Sequence, residues 1–274
     1  MDILTEVVDA LQLEATDVKR LVERAGHRET LLDGEAAIVV AAGPCAARTA
    51  GGDLRLVADD CVLLVGRQEM ELTSDSAAPA PLRCRYSLQT ALPHPLARQL
   101  PPVLALGARL VTDNAELGRA VSMLDGELAN TRVGSEFVTV RLAEIVFVEV
   151  LRKCQLEEQA APSFLSALTD PSIRKSLELI HGSPNKAWRV DDLADGAGLS
   201  RAAFTERFHK RVGDPPLRYL RAWRLLNARR DLAGGFSPIR DVAESAGYRS
   251  ANGFSRAFRR FFGQPPSALR RRAS

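Results

Sequence analysis

Cysteine and histidine are scarce in this sequence, and both are scattered. The four cysteines, at 45, 61, 84 and 154, include no C-x-x-C pair. That excludes a disulfide scaffold and a zinc knuckle and suits a reducing cytoplasm. His27, His94, His181 and His209 lie far apart in the chain, and Gly66-Arg-Gln-Glu69-Met70 adds no further histidine. A metal centre needs such ligands grouped with a carboxylate, so neither a metal nor another cofactor is expected. Long apolar runs are missing as well: nothing approaches the roughly 18–20 residues that span a bilayer, and no membrane partner is expected. The opening MDILTEVVDAL has no basic cluster ahead of its apolar residues, so a secretory leader is not expected either. What remains is ordinary globular composition, 46% hydrophobic and 26% charged over 274 residues, enough for one large domain or two modest ones.

The net charge of +3 hides a strong asymmetry. Residues 1–164 hold 16 Lys+Arg against 24 Asp+Glu, a balance of −8, whereas residues 165–274 hold 21 against 10, a balance of +11. An acidic front and a basic back are expected when one module faces nucleic acid or another anionic surface. Arginine-rich composition alone would not make the front acidic.

The basic part contains a duplication. With Val190 placed over Ile239, Leu193 falls over Val242, Ala194 over Ala243, Ala197 over Ala246 and Gly198 over Gly247. After one inserted residue, Arg249, Ser200 lies over Ser250, Phe204 over Phe254, Phe208 over Phe258, Gly213 over Gly263, and Pro215-Pro216 over Pro265-Pro266. Each copy reads as helix, turn, helix. The small alanines let two helices cross closely, the glycine reverses the chain, the serine caps the second helix, and the two phenylalanines fill the groove between them. The outer face of each second helix is left to solvent. It carries Arg201, Ala202, Thr205, Glu206 and Lys210 in the first copy, and Ala251, Asn252, Gly253, Arg256 and Arg260 in the second. A merely solvated basic face would look the same in one copy; two copies with matched turns favour a shared function. Between them, Leu217 to Leu232 reads as an arginine-rich helix ended by Ala233-Gly234-Gly235. Its 16 residues make about 24 Å of strut, compatible with setting two readers in major grooves about 34 Å apart on one side of a duplex.

Residues 166–274 resemble the DNA-binding domain of the AraC/XylS family of bacterial transcription regulators. The resemblance rests on Tyr219-Leu220…Arg224…Ala228…Leu232 and on Asp241-Val-Ala-Glu-Ser-Ala-Gly-Tyr248…Ser250…Phe254-Ser-Arg-Ala-Phe258…Phe262-Gly263…Pro265. It implies a sequence-specific regulator whose partners are promoter DNA and RNA polymerase, with no catalytic residue. It also implies that Ala202, Thr205 and Glu206 face bases in the first unit, and Asn252, Ser255 and Arg256, with Ala251 and Gly253 alongside, in the second. Glu206 departs from the basic residue usual there. It accepts from cytosine N4 but cannot grip guanine, so a changed or weaker preference is expected of the first unit. Arg201, Arg207, Lys210, Arg211, Arg249, Arg259 and Arg260, with the cap serines Ser200 and Ser250, are assigned to phosphates; structural ion pairs are the alternative, above all for Arg207.

In the front part, AIVVAAG, DLRLVADDCVLLVGRQ and EMELTSD read as strands, with Cys61 to Val65 buried on both sides. A barrel or sandwich follows, and its place resembles the cupin-like sensor of one AraC subgroup, as do Leu82-Arg-Cys84 through Leu104 and Ala187-Trp188. The strand-rich segment usual before position 35 is short or replaced by a helix-like piece, Asp2 to Ala25, leaving the barrel incomplete. The fold class expected is therefore α+β and multidomain: a cupin-like sensor over 1–110, a helical hairpin over 111–160, a linker at Gln159 to Ser163, and two helix-turn-helix units over 166–274. The sensor is expected to read a small molecule or an oxidant; a cupin metal enzyme fused to a DNA-binding tail is the competing reading. Cys61 and Cys84 are a candidate redox pair, against the plainer role of small buried hydrophobes. The hairpin stripes, Leu117, Val121, Leu124 and Leu128, then Phe137, Val138, Leu142, Ile145, Val146 and Leu151, suit either a core or a homodimer contact.

Overall fold

The computed structural model describes residues 13–21, 26–74, 79–88, 102–107, 114–130, 132–154, 169–234 and 238–270, with four isolated positions besides. The expected linker and the stretch around His94 lie outside these residues. The chain divides into two compact units, whose described segments fall within Gln12–Thr90 and Pro101–Ala161 for one and Pro162–Ser274 for the other.

The front unit is α+β. Its strands are β1 (Glu14–Arg20), β2 (His27–Leu31), β3 (Glu35–Val40), β4 (Cys45–Thr49), β5 (Gly52–Leu56), β6 (Cys61–Val65), β7 (Gln68–Ser74), β8 (Leu82–Ser87) and β9 (Val103–Leu106). They form two separate antiparallel sheets, ordered β1-β8-β3-β6-β9 and β2-β7-β4-β5. One core fills the space between them, with Ala37, Val39, Val62 and Leu64 from the first sheet against Leu31, Ala47, Met70 and Leu72 from the second. The unbroken apolar runs of β3 and β6 follow from burial on both faces. The second face of the first sheet is covered by α1 (Ala115–Ala129) and α2 (Ser135–Cys154). There Tyr86, fully buried, donates its hydroxyl to the Ala143 carbonyl at 2.8 Å and packs on Phe147 with ring centroids 4.9 Å apart. The hairpin is thus a layer of the front unit.

Three expectations are corrected. The segment expected as a helix over Asp2 to Ala25 contains strand β1, which pairs with β8 across almost seventy residues of sequence. A helix-period pattern in a single segment cannot report so distant a partner. Phe137, Val138 and Ile145, read as part of one apolar stripe, are exposed, while Leu142, Val146 and Leu151 of that stripe are buried together with Ala143, Phe147 and Val150. The redox pair also fails on geometry. Cys61 sits opposite Val40 and Cys84 opposite Ile38, on the two strands flanking β3. Two interstrand spacings and a two-residue offset along the strands, together about 11–12 Å, separate their Cα atoms, beyond the roughly 7 Å limit for a disulfide. Both thiols are buried, and burial pushes that of Cys84 up to about 12, outweighing the neighbouring Arg83 charge.

Candidate nucleic-acid interface

The described residues of the back unit form helices: α3 (Pro171–Gly182), α4 (Val190–Ala197), α5 (Arg201–Val212), α6 (Pro216–Ala233), α7 (Ile239–Ser245), α8 (Ala251–Phe262) and α9 (Ser267–Arg270). Helices α4 and α5 form the first helix-turn-helix, α7 and α8 the second. Gly198 closes α4 at φ +70°, where a side chain would be strained. Its counterpart Gly247, at φ +76°, has a second reason to be glycine: a Cβ there would meet Arg224 Nη1 at 2.9 Å. Ser200 Oγ accepts from the Ala203 amide at 3.4 Å and Ser250 Oγ from the Gly253 amide at 3.1 Å, so both serines cap as expected. Phe204 and Phe208, and in the second unit Phe254 and Phe258, are fully buried with centroids 5.5 and 5.4 Å apart.

With those side chains turned inward, the opposite flank of each second helix faces solvent. Ala202, Thr205 and Glu206 are exposed on α5, although the Thr205 hydroxyl donates back to the Arg201 carbonyl at 2.8 Å. On α8, Asn252 and Arg256 are exposed, whereas Ala251, Gly253 and Ser255 are half-buried. The structure therefore leaves Ala202, Thr205 and Glu206 on α5, and Asn252 and Arg256 on α8, exposed away from the buried phenylalanines.

The cations divide unevenly. On α5, Arg201 reaches Asp191 at 3.3 Å, Arg207 Nε lies 2.6 Å from Asp170, and Arg211 Nε 3.6 Å from the same carboxylate. Lys210 is exposed without a carboxylate partner among the described residues, and so are Arg249, Arg256, Arg259 and Arg260. Of the residues assigned to phosphates, Arg201, Arg207 and Arg211 thus form the ion pairs that were the alternative, the first with an exposed carboxylate and the other two with a buried one.

The strut α6 holds more than its length implied. Arg224 Nε donates to the Pro184 carbonyl at 2.6 Å and Nη2 to that of Lys186 at 2.8 Å, while the same guanidinium lies beside Gly247. One side chain thereby ties the turn before the first unit to the turn within the second. Buried His181 lies 2.7 Å from the Tyr219 hydroxyl and stacks on Trp223 at 4.1 Å, joining α3 to α6. Asp170, His181 and the partners of Arg224 went unseen in the sequence, because each acts across some forty residues.

Comparison with known proteins adds two family matches: a helix-turn-helix domain over residues 193–272 and a cupin over residues 2–155. A protein of Streptomyces lividans named as an AraC-like transcription regulator is 35% identical over 188 residues, covering 68% of this chain and 61% of that one. One of Streptomyces antibioticus, named likewise, is 30% identical over 257 residues, covering 84% of each chain. Among solved structures, an AraC-type DNA-binding regulator from Chromobacterium violaceum is 25% identical. It covers 39% of this chain and 96% of that one, with a TM-score of 0.38.

Proposed function

The chain belongs to the AraC family of DNA-binding transcription regulators, and on that premise we propose that α5 and α8 read two successive major grooves of a promoter site. The observation that carries this reading is the duplicated unit, two capped second helices with buried phenylalanines and outward polar flanks. In it Ala202, Thr205 and Glu206 meet bases in one groove, and Asn252, Ser255 and Arg256, flanked by Ala251 and Gly253, meet them in the next. Arg256 suits a two-pronged bond to guanine O6 and N7, worth about 1–3 kcal/mol of discrimination. Lys210, Arg249, Arg259 and Arg260 position the protein on phosphates.

Selection from randomised duplexes tests the assignment. Arg256→Ala is expected to relax preference at one base pair, whereas Arg260→Ala weakens all sites alike. An Arg256→Ala profile identical to that of the wild type removes Arg256 from the readers.

The front sandwich is the proposed sensor, with a small molecule as effector; Cys61 and Cys84, buried and two strands apart, do not suit an oxidant. RNA polymerase is the proposed second partner and the cytoplasm the proposed location. The relatives are named as regulators, not enzymes, and a fused cupin metal enzyme is set aside on that ground.

A homodimer is proposed through the outer face of α1 and α2. Met123, Val138 and Ile145 are exposed there, and Phe137, at 68% exposure, carries the Arg141 guanidinium over its ring at 5.4 Å. Sedimentation is expected to give a dimer mass for the wild type and a monomer mass for Phe137→Glu/Ile145→Glu. A wild type at monomer mass throughout micromolar dilution rejects the dimer.

A further inference from the structure

Asp170 does two things at once. It caps α3, accepting from the Ile173 amide at 3.3 Å, and its second oxygen takes Arg207 at 2.6 Å, with Arg211 at 3.6 Å. Its own side chain is 1% exposed, while the two arginines remain 46% and 44% exposed. A cap alone needs no charge, since serine or asparagine serves as well. The buried charge therefore calls for its own explanation.

The duplication supplies an internal comparison. In the register that places Ser200 over Ser250, Arg207 falls over Ala257 and Arg211 over Phe261. Both of those residues pack against the core of the second unit. The same register places Glu206 over Arg256 and Lys210 over Arg260, which are exposed. Arg207 and Arg211 thus occupy the flank by which a reading helix is held to its own fold. In the second unit that flank is apolar; in the first it is two cations answered by one buried anion.

We propose that Asp170 sets the specificity of the first reading helix by holding Arg207 and Arg211 to the protein and away from DNA phosphates. The proposal rests on the DNA-reading function assigned above. Each arginine kept off the backbone removes one sequence-independent contact, so α5 is oriented by the fold and its bases are read against a smaller non-specific background. Asp170 touches no DNA in this scheme and acts as a positioning residue.

The test measures duplex affinity of the full chain against salt concentration. Asp170→Ser retains a capping oxygen and removes the charge. It is expected to steepen the salt dependence, by about 0.9 in log–log slope for one recruited phosphate and about 1.8 for two. Asp170→Ser/Arg207→Gln/Arg211→Gln is expected to return to the wild-type slope. A merely structural role for Asp170 would lower stability without adding counterion release. Equal slopes for the wild type and Asp170→Ser overturn the proposal, as does a triple variant with a slope shallower than the wild type. A wild type with no salt-dependent duplex binding instead overturns the functional reading beneath it.

Discussion

Glu29→Gln is expected to destabilise the front unit by about 3–5 kcal/mol, the usual cost of leaving a buried charge without its partner. Glu29, on β2, is 1% exposed and lies between two arginines from β8 in the other sheet. Arg83 Nη1 donates to Oε2 at 2.9 Å and Arg85 Nε to Oε1 at 2.9 Å, with His27 Nε2 at 3.2 Å. Arg83 also pairs with Asp17 on β1, and its Nε is buried with no acceptor among the described residues. Glutamine keeps the volume and one acceptor but removes the charge that makes the burial of Arg83 tolerable. The midpoint of thermal unfolding should fall by roughly 10–20 °C. Asp17→Asn, at an exposed carboxylate, should cost no more than about 1 kcal/mol. A similar small loss for Glu29→Gln would show that the cluster contributes little.

The same group sets an acid limit. Burial alone would raise the Glu29 carboxyl, but the hydrogen bond and charge of Arg83, with His27 and Arg85, outweigh it and hold the group below its ordinary value of 4.5. A carboxyl lowered by folding stabilises the native state fully above its unfolded value, and that contribution disappears as pH falls through the folded one. Wild-type stability should therefore drop below about pH 4.5 by an increment absent from Glu29→Gln.

What the sequence discloses follows from the range of each interaction. The two units were legible because their determinants are local: a cap three residues from its amide, phenylalanines one turn apart, a glycine at the reversal. The continuous apolar strands β3 and β6 declared themselves for the same reason, since burial on both faces leaves no alternation to decipher. Strand β1 did not, because its partner β8 lies almost seventy residues away. The hairpin misled in another way. Phe137, Ile145, Leu142 and Val146 all recur at helical spacing, yet only Leu142 and Val146 are buried, and periodicity alone does not separate an inner from an outer apolar flank. The pairing of Asp170 with Arg207 joins residues 37 apart, and arginine composition could not reveal which cations are already neutralised.

Raising salt from 50 to 200 mM is expected to weaken duplex binding by about two to three orders of magnitude. The estimate follows from which cations are available. Of the cations assigned to phosphates, Arg207 and Arg211 are held by Asp170, and Lys210, Arg249, Arg259 and Arg260 are exposed without a carboxylate partner among the described residues; Arg256 is assigned to a base. With the weakly paired Arg201 and the amides at the helix starts, roughly four to six phosphates are neutralised, at about 0.9 counterion each. The log–log slope then lies near −3.6 to −5.4, and a fourfold rise in salt multiplies into about 10² to 10³ in affinity. Most of this dependence belongs to the second unit, which carries Arg249 before α8 and Arg259 and Arg260 in its last turn. Neutralising those three together should flatten the slope by about 2.7, while Lys210→Gln removes only about 0.9. Anisotropy titrations on one labelled duplex measure all of these. A slope near zero for the wild type would mean that the basic helices do not meet the phosphate backbone. An equal flattening from Lys210 alone would mean that the first unit, not the second, carries the electrostatic grip.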